Sequence, residues 1–565
     1  MVELTQTRQE NQDDASGTGA LYSVTQIRAI EAAALPVLPD DTLMQRAGAA
    51  ATAFAAALLQ RLPGLATFDG VPVLVIAGPG NNGGDAFECA AGLARLGCAV
   101  TILSAPRDAC GIADTDRARA QQRARVTGEA LRLAPATGDV AGQRPGCLNF
   151  ADIAIVDSLC NQSWALVVDG LFGIGLTRAP DGVWPSVIAA VNRIAALRLA
   201  LDVPSGLNAD TGMVLLPATP NATESANPRG SCINATHTLA FIGDKPGLHT
   251  GDGCDMAGQV TSASLDIAAS LYPLPHARLS RPAAFDAPRH RRRQNSHKGS
   301  NGDVQVIGGA AGMTGAAILA ALAALKTGSG RVLIGFVDAA QAPSTITGHP
   351  ELMCRLAAEL DFSRATVVIG PGLGQSAAAH ALVARACSTD AALVLDADGL
   401  NLVAASPALQ QQLAARGAGL ATLLTPHPLE AARLLGTTAA AIQADRLEAA
   451  TLLAQRFTAT VILKGAGTVI AHAGNLSINP TGNPALASGG TGDVLAGICG
   501  ALLAQGWPAH QAALAAVWIH GAAADALVAA GIGPVGVTAS EIIDAARTVL
   551  NALIGPGSSS AAWQS

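Results

Sequence analysis

Aromatic and charged residues are both scarce in this 565-residue chain: 3% of positions are Phe, Trp or Tyr, and 14% are Asp, Glu, Lys or Arg. The formal charge of −7 provides no cationic excess for phosphates, which excludes general nucleic-acid binding. Ten cysteines occur without one C-x-x-C pair, so zinc and dithiol redox sites are not expected, and buried thiols in a reducing compartment are. There is no run of 18 apolar residues, and Met1 to Gly19 is polar and acidic with no apolar core. Neither export nor membrane spanning is supported, and a cytoplasmic location is expected. The Asn-x-Thr matches at Asn221 and Asn234 then carry no meaning. What remains is half hydrophobic and rich in glycine (61) and alanine, which suits α/β layers with close helix–sheet packing and glycine-rich ligand loops. The length calls for two large domains.

The densest signal is Ser488-Gly489-Gly490-Thr491-Gly492-Asp493, followed at once by an apolar helical pattern from Val494 to Leu503. The glycines let the backbone turn and aim successive amides at one point. The helix start adds a positive dipole end, so a phosphate or developing anion is favoured there. Asp493 at the helix mouth can take a proton from a group beside that phosphate. The alternative is an Asp that caps a helix after a flexible loop.

In the first half, Val71 to Gly78 reads as a buried strand feeding the loop Gly80-Asn81-Asn82-Gly83-Gly84-Asp85, a helix through Leu96, and a strand at Val100 to Leu103. This is the βαβ layout of a doubly wound sheet, without the G-x-G-x-x-G spacing of a standard dinucleotide site. Two further strands end in Asp and small residues: Leu166 to Asp169 runs into Gly170-Leu-Phe-Gly173-Ile174-Gly175-Leu176-Thr177, and Leu199 to Asp202 into Val203-Pro204-Ser205-Gly206. One such Asp is more often a turn former. Three polar strand ends together read as a site, and Asn, Asp and Ser oxygens suit a hard, weakly charged cation better than zinc.

Met44-Gln-Arg-Ala-Gly48, Gly80 to Asp85, Asp169 to Gly175, Asp202 to Gly206, Asn208-Ala-Asp-Thr-Gly212 and Gly251-Asp-Gly253 stand in the order of the NAD(P)HX epimerase family, which residues 20–275 resemble. The resemblance implies a Rossmann-like domain that interconverts the C6 hydroxyl epimers of hydrated NADH and NADPH beside a potassium ion. It implies Asn82, Asp169 and Ser205 as potassium ligands and Asp202 as the acid/base. Substrate contacts are implied for Asn81, Asn82, Gly83, Gly84 and Asp85, for Gly173, Ile174, Gly175, Leu176, Thr177, Arg178 and Ala179, and for Asp202. Ala86 stands where the family usually has glycine, and Pro217 to Ala235 reads as an inserted surface loop.

Tyr272 to Arg293 has four prolines and no periodicity, and it reads as a boundary whose basic end, Arg289 to Arg293, is a solvated linker. A new α/β unit opens at Lys298-Gly299. Its strands at 304–307, 331–336, 366–369, 392–395, 420–424 and 460–463 mostly end in small or polar loops, the pattern of a large, mostly parallel sheet with one active edge. Lys464-Gly465-Ala466-Gly467-Thr468 offers a cation and backbone donors for a nucleotide, or is a hairpin turn. His427, between prolines, is rigidly placed, and a buried structural histidine is its alternative. Glu430 reads as a helix-start carboxylate or as a magnesium partner acting through water.

Lys298-Gly299, the Gly312-Met-Thr-Gly315 loop, Gly370-Pro-Gly-Leu-Gly374, Asp396-Ala-Asp-Gly-Leu-Asn401, Thr425-Pro-His-Pro-x-Glu430, Lys464 to Thr468 and Gly490-Thr-Gly-Asp493 resemble the ADP/ATP-dependent NAD(P)HX dehydratases over residues 290–555. That family has the ribokinase-like fold. The resemblance implies Asp493 as catalytic and substrate-contacting, Ala316, Gly372 and His427 as substrate contacts, and Gly492 with residues 464–468 on the nucleotide. Leu429 stands where that family usually has glycine. An epimerase and a dehydratase fused in this order imply repair of hydrated NADH and NADPH, with ADP or ATP as co-substrate, magnesium and potassium ions, and no nucleic-acid or membrane partner. The alternative is a ribokinase-like small-alcohol kinase fused to a nucleotide-binding module. The expected organisation is a disordered tail (1–20), the epimerase domain (21–275), a linker (276–293), the dehydratase domain (294–555) and a tail (556–565). Oligomeric state, including a homo-oligomer, is left open.

Overall fold

The computed structural model describes residues 19–104, 115–133, 146–152, 156–159, 161–216 and 230–555. Residues 1–18 and 556–565 of the expected tails, residues 217–229 of the insertion, and Cys110 and Cys160 lie outside the described residues. The eight cysteines among the described residues are all free thiols. The chain divides into two compact units, one ending at His276 and the next beginning at Ala277.

The first unit is built on seven strands: β1 (Pro72–Ala77), β2 (Ala99–Ser104), β3 (Cys147–Asp152), β4 (Leu166–Gly170), β5 (Leu197–Leu201), β6 (His237–Phe241) and β7 (Gln259–Ala263). Their order is β3-β2-β1-β4-β5-β6-β7, and every pairing is parallel. The order reverses between β1 and β4, the switch point beyond which open α/β sheets bind ligands. Period-two alternation separates the two faces. Val73, Val75 and Ala77 join the apolar layer of the helices Thr42–Gln60 and Asn81–Arg95, whereas Leu74 and Ile76 pack with Val187, Ile188 and Val191 of the helix Trp184–Arg193. Gly19 and Ala20, expected in the disordered tail, are placed: Ala20–Leu21 is a short buried strand, and Tyr22 N–H donates to the Asp244 carbonyl. The end of the expected surface insertion is also internal. Cys232 and Ile233 are fully buried, because Ile233 N–H donates to the Ser205 carbonyl and Asn192 clamps Cys232 and Asn234.

The second unit contributes β8 (Ala277–Leu279), β9 (Asp303–Gly308), β10 (Arg331–Phe336), β11 (Met353–Leu356), β12 (Thr366–Ile369), β13 (Leu393–Leu395), β14 (Thr422–Leu424), β15 (Thr460–Leu463), β16 (Val469–His472) and β17 (Asn475–Ile478). Within this unit the order is β8-β17-β16-β15-β14-β13-β12-β9-β10-β11. The strands from β15 through β11 are parallel, and β15, β16 and β17 form an antiparallel meander. The helices Thr314–Lys326, Thr491–Ala504, Ala509–Ala529 and Ala539–Ile554 share its largest apolar core. Ala509–Ala529 is long and apolar enough by length and composition to cross a membrane, but Ala512 through Ala524 are buried in this core.

The stretch expected as a linker is part of this unit. Ala277–Leu279 pairs with β17, and Phe285 and Ala287 are buried, with the Phe285 ring 6.1 Å from Trp518. His290 stacks on Trp507 at 3.9 Å, and Arg292 donates to the Gly328 carbonyl. Proline removed the periodicity that would have revealed these contacts in the sequence.

Candidate active sites

At the switch point of the first unit, Asn81 through Asp85 form the first turn of the helix Asn81–Arg95. The Asn82 side chain is buried. Its Nδ2 donates to the Leu201 carbonyl at 3.1 Å, while its Oδ1 has no hydrogen-bond partner among the described residues. Asp169, the penultimate residue of β4, is 1% exposed and is held by hydrogen bonds: Oδ1 accepts from Ser205 Oγ (2.7 Å) and Leu171 N (3.1 Å), and Oδ2 from Ser205 N (2.9 Å). Burial pushes its pKa from 3.8 up to about 6, against the opposing effect of those bonds. Ser205 Oγ also accepts from Phe172 N at 2.9 Å. The orphaned amide oxygen at the end of β5, and the buried carboxylate held by these neutral donors, are each a group that a weakly held cation would complete.

Asp202 adopts a left-handed backbone (φ 67°) after β5. Its Oδ1 accepts from Lys245 Nζ at 2.5 Å and from Phe241 N at 3.3 Å, and its Oδ2 from Ile174 N at 3.3 Å. A methyl group on Gly173 would sit 2.9 Å from that Oδ2 and 3.5 Å from Asn82 Cβ, so glycine is needed for the loop to pass between them. The structure thus brings Asn82, Gly173, Ile174 and Asp202 together, and pairs Asp169 with Ser205. Gly175, Thr177 and Arg178 lie exposed along the continuing loop, where Leu176 and Ala179 are partly covered. Lys245 was not singled out in the sequence, where its only signal is a place four residues beyond the end of β6.

In the second unit Asp396, after β13, and Lys464, after β15, meet the start of the helix Thr491–Ala504. Gly490 (φ 90°) turns the chain into that helix, whose first-turn amides have no intrahelical partner. Lys464 Nζ donates to Asp396 Oδ1 at 2.7 Å and lies 3.4 Å from where a methyl group on Gly492 would be. Burial, then Asp396, pushes the Asp493 carboxyl from 3.8 up to about 6, with Lys464 opposing and Asp398 adding. Asp398 in turn accepts from Gly374 N at 2.9 Å.

Lys464 to Thr468 is the turn of the β15–β16 hairpin, one of the two readings the sequence allowed. Lys464 N–H donates to the Pro426 carbonyl, joining it to the His427 loop. Arg446, 1% exposed, donates from beneath to the Leu463 and Lys464 carbonyls, and any side chain at Gly465 (φ 143°) would strike its guanidinium at 2.7 Å. Neither Arg446 nor the Asp396–Lys464 pair was identified in the sequence as part of the site.

His427 is not a buried structural histidine: its side chain is 46% exposed and caps the helix Pro428–Leu435, with Nδ1 accepting from Leu429 N. Burial and Lys464 lower its pKa, against the opposing effect of Asp396. Glu430 completes the capping box through His427 N at 2.8 Å, and burial pushes its carboxyl up to about 6. Gly372 and Ala316 adjoin, since a methyl group on Gly372 would lie 3.2 Å from Ala316 Cβ. Among the described residues no group of three His, Cys, Asp or Glu side chains is placed to hold a metal ion.

Two α/β units, each with carboxylates and a glycine loop at its strand ends, define an enzyme with two sites for small, anion-bearing substrates. The family described as NAD(P)H-hydrate dehydratase matches residues 304–547, and that described as YjeF-related protein N-terminus matches residues 40–247. The chain is 36% identical to the bifunctional NAD(P)H-hydrate repair enzyme Nnr of Escherichia coli K12, over 85% of each chain. It is 35% identical to that of Coxiella burnetii, over 94% of this chain and 99% of the relative. A crystal structure of the ADP/ATP-dependent NAD(P)H-hydrate dehydratase of Bacillus subtilis, co-crystallised with ATP and Mg²⁺, is 31% identical over 49% of this chain and 98% of that one, with a TM-score of 0.43. The chain belongs to the bifunctional NAD(P)H-hydrate repair enzyme family.

Proposed function

We propose that the two units repair hydrated NADH and NADPH in sequence: the unit ending at His276 interconverts the C6 epimers, and the unit beginning at Ala277 dehydrates the S epimer with ADP or ATP. The single observation that carries this is the similarity to the repair enzymes across 85–94% of the chain, with both units included. The strand-end carboxylates supply chemistry of the right kind for each step.

In the first unit Asp202 is the acid/base. C6 carries a hydroxyl and the ring nitrogen, so its configuration inverts if the hydroxyl proton passes to Asp202 and the C6–N bond breaks. That leaves an aldehyde and a nitrogen anion delocalised into the ring carboxamide. After rotation the nitrogen re-adds to the other face, and Asp202 returns the proton to the new alkoxide. The loops 81–85 and 173–179 would hold the substrate. Asn82 Oδ1, Asp169 and Ser205 would hold a potassium ion, and the orphaned Asn82 oxygen and the carboxylate held by neutral donors fit that group. When bound, it supplies positive charge that offsets Asp169.

In the second unit Asp493 takes the proton of the C6 hydroxyl as that oxygen accepts the terminal phosphoryl group. Lys464, Gly492 and the loop to Thr468 hold the nucleotide, with Ala316, Gly372 and His427 on the substrate. Loss of phosphate and of a ring proton then restores the dihydronicotinamide, driven by recovery of conjugation. The amides at Gly489 to Gly492 stabilise charge on the transferred group. A magnesium ion would be held mainly by the nucleotide phosphates, since the described carboxylates form no cage for it. The test is to incubate the chain with hydrated NADH and ADP or ATP and follow the absorbance of regenerated NADH. A stable phosphorylated product without NADH would instead identify a small-alcohol kinase.

A further inference from the structure

Lys245 has no assigned part in this chemistry, yet its side chain is fully buried at 0% exposure. Its ammonium makes two contacts, with Asp202 Oδ1 at 2.5 Å and the Phe241 carbonyl at 2.8 Å. The neighbouring Asp244 is engaged elsewhere, with His249 Nε2 at 2.7 Å and the Lys245 backbone amide, so Asp202 is the carboxylate that faces this charge. Burying an ammonium is costly before pairing, and an apolar side chain of similar volume commonly serves packing as well or better. Loop stability alone therefore gives no reason for a lysine here.

The asymmetry of the Asp202 carboxylate gives one. Among the described residues Oδ1 takes two donors, Lys245 Nζ and Phe241 N, while Oδ2 takes one, the Ile174 amide at 3.3 Å, and lies against Gly173 in the glycine loop. With Oδ1 anchored from the protein side, Oδ2 is the oxygen turned toward the loop where a substrate hydroxyl would lie. The left-handed backbone of Asp202 is part of the same arrangement, its N–H donating to the Leu239 carbonyl at 2.8 Å.

We propose that Lys245 is a positioning residue for epimerisation: it pins Asp202 Oδ1 and so presents Oδ2 as the oxygen that carries the proton. This is the general arrangement of a base oriented by a third group. It rests on the epimerase reading of the first unit.

The test uses the full chain with NADHX of the R configuration and compares Lys245→Met, Lys245→Gln and Lys245→Arg with the native protein and Asp202→Asn. A displaced base of this kind typically costs about 100-fold in rate. Lys245→Met and Lys245→Gln are expected to lose that much in kcat for epimerisation with KM within about threefold, the dehydratase rate of the same chain serving as the internal reference. Lys245→Arg, which keeps charge and donors, is expected to recover at least tenfold over Lys245→Met. Native-like kcat in Lys245→Met or Lys245→Gln, while Asp202→Asn is inactive, overturns the proposal. So does a rise in KM at unchanged kcat, or loss of the first unit's thermal transition in every variant, either of which makes Lys245 a structural residue of its loop. Absence of epimerisation by the native chain would overturn the epimerase reading instead.

Discussion

Exchange of potassium for choline should destabilise the first unit, with a sign and size set by Asp169. Its carboxyl is raised from 3.8 to about 6 by burial, so the folded state binds a proton more tightly than the unfolded chain does. Between those two values stability falls as pH rises, and above about pH 6 the buried anion costs the full difference. Two pK units correspond to about 3 kcal/mol. A cation held between Asn82 Oδ1 and Asp169 would offset much of that cost, but only where Asp169 is ionised. Potassium is therefore expected to raise the first unit's melting temperature by roughly 5–10 °C at pH 7.5 and by little at pH 5, given about 2–4 °C per kcal/mol in a unit of this size. Differential scanning calorimetry of the full chain in potassium and choline buffers at both pH values measures this. Asn82→Ala should abolish the potassium effect while leaving the pH dependence in choline. Equal melting temperatures in the two buffers at pH 7.5, or an effect as large at pH 5, would refute the reasoning.

Asp493→Asn should lower dehydration by about 10²–10⁴ while leaving epimerisation intact, because it removes a base without changing shape. In the native chain the dehydration rate should fall about tenfold per pH unit below about 6, where Asp493 takes up its proton; a rate flat from pH 7 to pH 5 would contradict this assignment. Cleavage between His276 and Ala277 should give two soluble fragments, since β8 and Phe285 belong to the second unit. From mixed hydrate the C-terminal fragment should convert only the S fraction before stalling, and the N-terminal fragment should restore full conversion. Single-phase, complete conversion by the C-terminal fragment alone would contradict the division of labour.

Much of this protein was legible locally. Strands such as Pro72–Ala77 and Thr460–Leu463 announce themselves as short β-branched runs, and a Gly, Asn or Asp cluster after each marks the ligand edge, because a parallel sheet collects all such ends on one side. Asn82, Asp169, Asp202 and Lys464 were each visible in that way, and Asp493 by the glycine loop that opens its helix. Their partners were not. Asp202 finds Lys245 across 43 residues, and Asp396 finds Lys464 across 68, through the strand orders β5-β6 and β13-β14-β15. Periodicity carries no information about which strands become neighbours. The orphaned Asn82 oxygen, Arg446 beneath the hairpin loop and the packing of Phe285 likewise exist only once the layers close. The sequence by itself determined the α/β character, the two units and the residues waiting at their strand ends. The tertiary structure decided which of those residues are charged, pinned or left open, because burial and the approach of a distant side chain set the cost of each ionised group.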